Sequence, residues 1–155
     1  MQKSKEVKYK KSINNVRTVR QDYDVDSSNQ KLLLDFSIID IDHDLWGFKN
    51  LNNKGTYLFN KLKSFCSMTW NDILNANGGK KEGNGNNHHF CKMDGFCRGA
   101  KNRLEELKQE CDGLFSLRLE GGIRLYGIRD RSIFKPIWYD AYHGKAGKEA
   151  YTTKH

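Results

Sequence analysis

Residues 115–140 read FSLRLEGGIRLYGIRDRSIFKPIWYD, and the fold is decided there. Apolar and polar residues alternate from Phe115 to Leu119 and again from Ile123 to Tyr126, with Gly121-Gly122 between. A second break, Arg129-Asp130-Arg131-Ser132, precedes the run from Ile133 to Tyr139. Period-two alternation punctuated by turn residues predicts antiparallel strands joined by hairpins. Register follows from the faces. A two-residue Gly-Gly turn would set Arg118 against Leu125 and put a polar face on an apolar one. A three-residue loop, Glu120-Gly121-Gly122, pairs Leu119 with Ile123, Leu117 with Leu125 and Arg118 with Arg124. A one-residue slip inverts every side chain, so only the second register is consistent. Such loops need glycine in the left-handed conformation, and Gly122 is the expected position.

That register places Arg118 and Arg124 side by side on the open face, with Tyr126 close by. Like charges opposite one another destabilise a strand pair. The sheet must neutralise them with its own carboxylates, Glu120 or Asp140, or present them to an anion. Guanidinium forks match phosphate geometry, and phosphate is the reading taken here.

Bulk properties agree. The net charge is +8 and the pI near 9.3, which favours acidic partners, nucleic acid first. Residues 1–31 carry 8 Lys/Arg against 4 Asp/Glu, residues 32–112 are balanced, and residues 113–155 again carry 8 against 4. The carboxy-terminal excess coincides with the arginine pair. A mean hydropathy of −0.82 and 155 residues fit one domain with a modest core. The amino-terminal MQKSKEVKYKK has no apolar run after its charges, and no stretch approaches transmembrane length. The four cysteines, Cys66, Cys91, Cys97 and Cys111, are then reduced thiols of a cytoplasmic protein without membrane contact.

Upstream, residues 1–31 read as a basic flexible arm. Leu32–Ile41 (LLLDFSIIDI) reads as a first strand. Asp40, Asp42 and Asp44 follow at two-residue spacing. They could share a side and hold a divalent cation, but Asp-rich strand ends also arise from local hydrogen bonding, and no metal is assigned. Leu58, Leu62 and Phe65 predict a helix from about Thr56. Thr69 with Asp72 three residues on predicts a second helix start. The Gly/Asn-rich segment 75–97 reads as an enlarged loop bearing His88 and His89. Cys91, Cys97 and these histidines match no zinc spacing. Arg98–Cys111 reads as a third helix ended by Gly113. Pro136 inside the last strand implies an edge or a bulge, and Arg131 stands where a hairpin prefers glycine. Residues 144–155 form a basic tail.

The series Phe115-Ser-Leu-Arg-Leu, Gly-Gly-Ile-Arg124-Leu-Tyr-Gly-Ile-Arg129-Asp, a hydrophobic strand, then Tyr-Asp-x-x-His143 resembles the carboxy-terminal half of RelE/ParE-superfamily toxins of bacterial toxin–antitoxin systems. It covers about 115–143 well and 32–74 in element order. The resemblance implies an α+β domain over 32–143 in the order β-α-α-(α)-β-β-β, with a small antiparallel-rich sheet and helices on one face. For the RelE branch it implies an endoribonuclease without cofactor, cutting messenger RNA, often on the ribosome, by 2′-hydroxyl attack on the adjacent phosphate. Such chemistry needs a base, an acid and cations for the phosphorane. Carried over by position, Arg118 and Arg124 hold and stabilise the phosphate. His143 is acid or base, and Tyr126 assists. Arg129, Arg131, Lys135, Tyr139, Lys145, His88 and His89 are the candidates for flanking RNA contacts. RNA, the ribosome and a protein antitoxin are the implied partners. The ParE branch is no ribonuclease, so the alternatives are a non-catalytic nucleic-acid or ribosome-binding protein, or a partner-binding protein, using the same basic sheet.

Overall fold

The computed structural model describes residues 25–76 and 87–152. Most of the expected arm, the middle of the expected Gly/Asn loop and the last three residues lie outside the described residues. The fold is α+β. A short helix, α1 (Val25–Ser28), leads into β1 (Leu33–Leu34). A 3-10 segment, Phe48–Lys54, runs into α2 (Gly55–Cys66), and α3 (Trp70–Asn75) follows. β2 (His89–Lys92) precedes α4 (Arg98–Glu106), and the chain closes with β3 (Gly113–Arg118), β4 (Arg124–Asp130) and β5 (Ile133–Asp140). The five strands lie in the order β1-β5-β4-β3-β2. β2 through β5 are antiparallel, and β1 alone runs parallel to its neighbour, β5.

The hairpin register is the expected one. Leu117 pairs with Leu125 and Arg118 with Arg124, and the Leu119 N–H donates to the Ile123 carbonyl at 3.1 Å. The left-handed residue, however, is Gly121 (φ +49°), not Gly122. Gly122 is small for another reason. A Cβ there would lie 3.0 Å from the His143 carbonyl oxygen, because the His143 N–H donates to the Gly122 carbonyl at 3.1 Å. Pro136 does sit at a bulge: the β4–β5 register shifts between Tyr126 and Gly127, and Gly127 faces Pro136.

Alternation gives the sheet two apolar faces. On one, Phe115, Leu117, Leu125, Phe134 and Tyr139 pack against Leu58, Leu62 and Phe65 of α2 and Trp70 and Ile73 of α3. Full burial of each such side chain is worth about 1.5–3 kcal/mol. The α3 start is the expected reciprocal cap: the Asp72 N–H donates to Thr69 Oγ1, and the Thr69 N–H to the Asp72 carboxylate. On the other face, Leu114, Tyr126, Ile128, Ile137 and Trp138 meet Trp46, Phe96, Ala100 and Leu104 of α4, and Ala150.

Three boundaries differ from expectation. The first strand is two residues long, because the chain beyond Leu34 turns to bring Asp40 under Trp138. α4 ends at Glu106, with Lys108 taking the left-handed position (φ +55°) and Gln109 N–H closing on the Leu104 carbonyl at 2.9 Å. Gly113 therefore starts β3 instead of ending the helix; a Cβ there would meet the Cys91 carbonyl oxygen. The supposed loop at 75–97 contains a strand, β2, which pairs along β3. Among the described residues no helix is long and apolar enough to cross a membrane.

Candidate anion site at the arginine pair

The pairing of Arg118 with Arg124 sits at the hairpin end of the sheet. There it meets the segment after β5 and the residues entering β2. A cavity of about 60 Å³ opens between Asn87, His89, Cys91, Ser116, Arg118, Arg124, Tyr126, His143 and Tyr151. Cross-strand pairing explains most of this set: His89 faces Ser116, Ser116 faces Tyr126, and Arg118 faces Arg124. The last two pairs share one side of the sheet because they are two residues apart on each strand.

Among the described residues neither guanidinium forms an ion pair with a carboxylate; the ion pairs present are Lys49–Asp44, Arg103–Asp40 and Arg103–Glu106. Arg124 Nη1 donates to the carbonyls of Gly121 (2.6 Å) and Ile123 (3.1 Å), and Arg118 Nη1 to Asn87 Oδ1 (3.4 Å). Burial, and then the charge of Arg118, lower the pKa of Arg124. Asp140 faces Arg124 across the strands but does not neutralise it. Its carboxylate is fully buried and accepts the N–H groups of Tyr142 (2.7 Å) and Ala150 (3.0 Å). Burial raises its pKa.

His143 reaches the cavity from the turn after β5. Burial and the nearby Arg124 lower its pKa, and its Nδ1 is buried without a hydrogen-bond partner among the described residues. It is thus neutral at pH 7. Tyr126 is almost wholly buried, its ring edge-on to Phe96 at 5.4 Å, and burial raises its pKa, so the phenol keeps its proton. Burial likewise pushes the Cys91 thiol up to about 12, leaving it a neutral part of the wall.

Of the residues expected at the site, Arg118, Arg124, Tyr126, His143 and His89 come together. The others do not. His88 is buried, its ring edge-on to Phe65 at 5.2 Å, and its Nδ1 accepts the Arg118 N–H at 3.0 Å. It braces the arginine strand instead of touching a ligand. Arg129 is fully buried over the Trp70 ring, 4.1 Å from its centroid, and donates from Nε to the Arg131 carbonyl at 2.9 Å. It locks the β4–β5 turn onto α3. Arg131 is exposed in that turn, seven residues along β4 from Arg124 and so roughly 23 Å away. Tyr139 is buried on the opposite face among the α2–α3 residues. Lys135 pairs across from Ile128 in mid-strand, and Lys145 is exposed beside the Tyr142 ring, 5.9 Å from its centroid; neither lines the cavity.

Ser116, Asn87, Cys91 and Tyr151 were not expected. Ser116 was legible, since it shares a face with Arg118. Tyr151 was not: it arrives by an isolated bridge to Phe96 and a ring contact at 5.0 Å, 25 residues after Tyr126 in the chain.

The aspartate series lies elsewhere. Asp40 is buried and receives Arg103 through two hydrogen bonds (2.9 and 2.8 Å) and Trp138 Nε1 at 2.9 Å. Asp44 faces Lys49. Asp40 is thereby engaged as a structural anchor, which separates it from Asp42 and Asp44 as a ligand set. No family model, curated protein or solved structure matches this chain.

Proposed function

We propose that this chain is a RelE-like endoribonuclease that cleaves RNA by metal-independent 2′-hydroxyl attack. One observation carries the reading: two arginines paired across adjacent strands, without a carboxylate partner among the described residues, around a cavity that also holds a neutral histidine. Two half-buried guanidiniums directly opposite one another repel, and an anionic ligand offsets that cost.

The chemistry divides among the residues as follows. Arg118 and Arg124 hold the non-bridging phosphate oxygens and stabilise the phosphorane charge. His143 takes the proton from the 2′-hydroxyl as that oxygen attacks phosphorus. The bond to the 5′-oxygen breaks, and His89, exposed at the rim, returns a proton to the leaving alkoxide. Tyr126 donates a hydrogen bond from its protonated phenol. The products are a 2′,3′-cyclic phosphate and a 5′-hydroxyl. The reading places the protein in the cytoplasm, with messenger RNA, free or on the ribosome, as substrate. Its inhibitor is a protein antitoxin whose acidic segment covers the arginine pair.

The test is cleavage of labelled RNA, free and ribosome-bound, by wild type and His143→Ala in the presence of chelator. Cleavage that survives chelator and collapses in the variant supports the reading. RNA binding without cleavage in either protein replaces it with a non-catalytic nucleic-acid-binding role.

A further inference from the structure

The floor of the arginine cavity is more elaborate than a diester needs. Ser116 and Tyr126 face one another across β3 and β4, are only 2% and 1% exposed, and both line the cavity. Neither oxygen is sealed off from the cavity, so each hydroxyl can donate to a group seated there. Here two converge with two guanidiniums on one small space. The cavity is small, about 60 Å³, on the scale of a phosphoryl group.

We propose that this cavity is a subsite for a terminal phosphate, a phosphate monoester dianion, seated on the hydroxyls of Ser116 and Tyr126 and clamped by Arg118 and Arg124. A diester offers two non-bridging oxygens and one negative charge. A monoester offers three oxygens and close to two charges at pH 7. Four donor groups and two positive charges match the second. Asp140, the carboxylate opposite Arg124, spends its oxygens on Tyr142 and Ala150 and leaves the guanidiniums to the ligand. Tyr151, held against Phe96, forms a wall of the cavity. The proposal rests on the phosphate reading of the same site and names the ligand: a strand ending in a 3′-phosphate, formed when water adds to the phosphorus of the 2′,3′-cyclic product and the bond to the 2′-oxygen breaks, leaving a 2′-hydroxyl.

The experiment is calorimetric titration of the full chain with inorganic phosphate, thymidine 3′-monophosphate and the diester thymidylyl-thymidine, which lacks the attacking hydroxyl. The expected result is monophosphate binding about tenfold or more tighter than diester at pH 7.5, with the preference shrinking at pH 5.5 as the monoester dianion takes up one proton and becomes a monoanion. Inorganic phosphate competing with the nucleotide locates recognition on the phosphate; failure to compete overturns the proposal. Ser116→Ala and Tyr126→Phe, each with a wild-type melting curve, should weaken monophosphate binding several-fold, and Ser116→Ala should leave diester binding within twofold. Equal affinity for both ligands, or folded variants with unchanged monophosphate binding, overturns the proposal. Monophosphate preference without RNA cleavage keeps this subsite and sinks the ribonuclease reading. Cleavage without the preference does the reverse.

Discussion

Burial holds His88 and His143 below the ordinary histidine pKa, yet the two rings serve different ends. His143 lines the arginine cavity, and a general base must be neutral to accept a proton. RNA cleavage should therefore rise with pH through an apparent pKa below 6.5 on the acid side and fall on the alkaline side as the general acid, His89, loses its proton, giving a bell-shaped profile. A profile without the rising acid limb would remove His143 as the base. Loss of the ring in His143→Ala should lower the rate by about 10²–10⁴. His88 is shifted further, to about 4, chiefly by burial. The folded state resists its protonation, while the unfolded chain takes the proton below about 6.5. Its contribution is thus intact above 6.5 and is lost as pH falls toward 4, by about 3 kcal/mol in total. Protonation also removes the acceptor of the Arg118 N–H. Chemical denaturation of wild type and His88→Phe between pH 7 and 4 checks this: the variant should lose the slope.

At the scale of elements, the turns tell most. Lys108 closes α4 in the left-handed region, and Arg131 does the same in the β4–β5 turn, both at φ +55°. A residue with a Cβ is strained there. Lys108→Gly should raise stability by about 1 kcal/mol, seen as a higher melting temperature. Gly127 is the opposite case. A Cβ at that position would fall on the Lys135 carbonyl oxygen and 2.7 Å from the Phe134 ring. Gly127→Ala must open the β4–β5 bulge and should cost more than about 2 kcal/mol, with the melting curve as readout. The Arg118–Arg124 register was legible because glycines and alternation leave one consistent pairing. The short β1 and the strand β2 were not. β1 is cut off by a contact with Trp138, about 100 residues away in the chain, and four residues of β2 after a polar loop carry too little alternation to stand out.

For the molecule as a whole, the sheet is held from both sides. Asp40 ties the loop after β1 to β5 through Trp138 and to α4 through Arg103. Burial opposes its charge, but the Arg103 fork, Trp138 and the backbone N–H of His43 together lower its pKa. Its contribution to stability is present above the ordinary aspartate pKa and disappears as pH falls through the lower folded value. Asp40→Ala leaves Arg103 and Trp138 Nε1 without their acceptor and should destabilise by about 3–5 kcal/mol. Glu106→Ala, which removes the exposed partner of the same arginine, should cost less than about 1 kcal/mol. Equal losses in urea denaturation would show that Asp40 is no anchor.

The sequence by itself determined the hairpin, the arginine pair on one face, the apolar stripe of α2, the cap of α3 and the basic carboxy-terminal third. All of these follow from local periodicity, turn chemistry and charge within a window of about ten residues. Which arginines line the cavity was decided only by tertiary structure. Arg118 and Arg124 stay at the cavity, where no carboxylate among the described residues pairs with them. Arg129, equally basic and on the same strand, is drawn over Trp70 and buried. His88 and His89 are neighbours in the chain, yet pleating sends them to different environments, one against Phe65 and one to the cavity rim. Ser116, Tyr151 and His143 converge because β3, β5 and the carboxy-terminal segment close on one hairpin. That convergence depends on contacts between residues far apart in the chain, which no local pattern encodes.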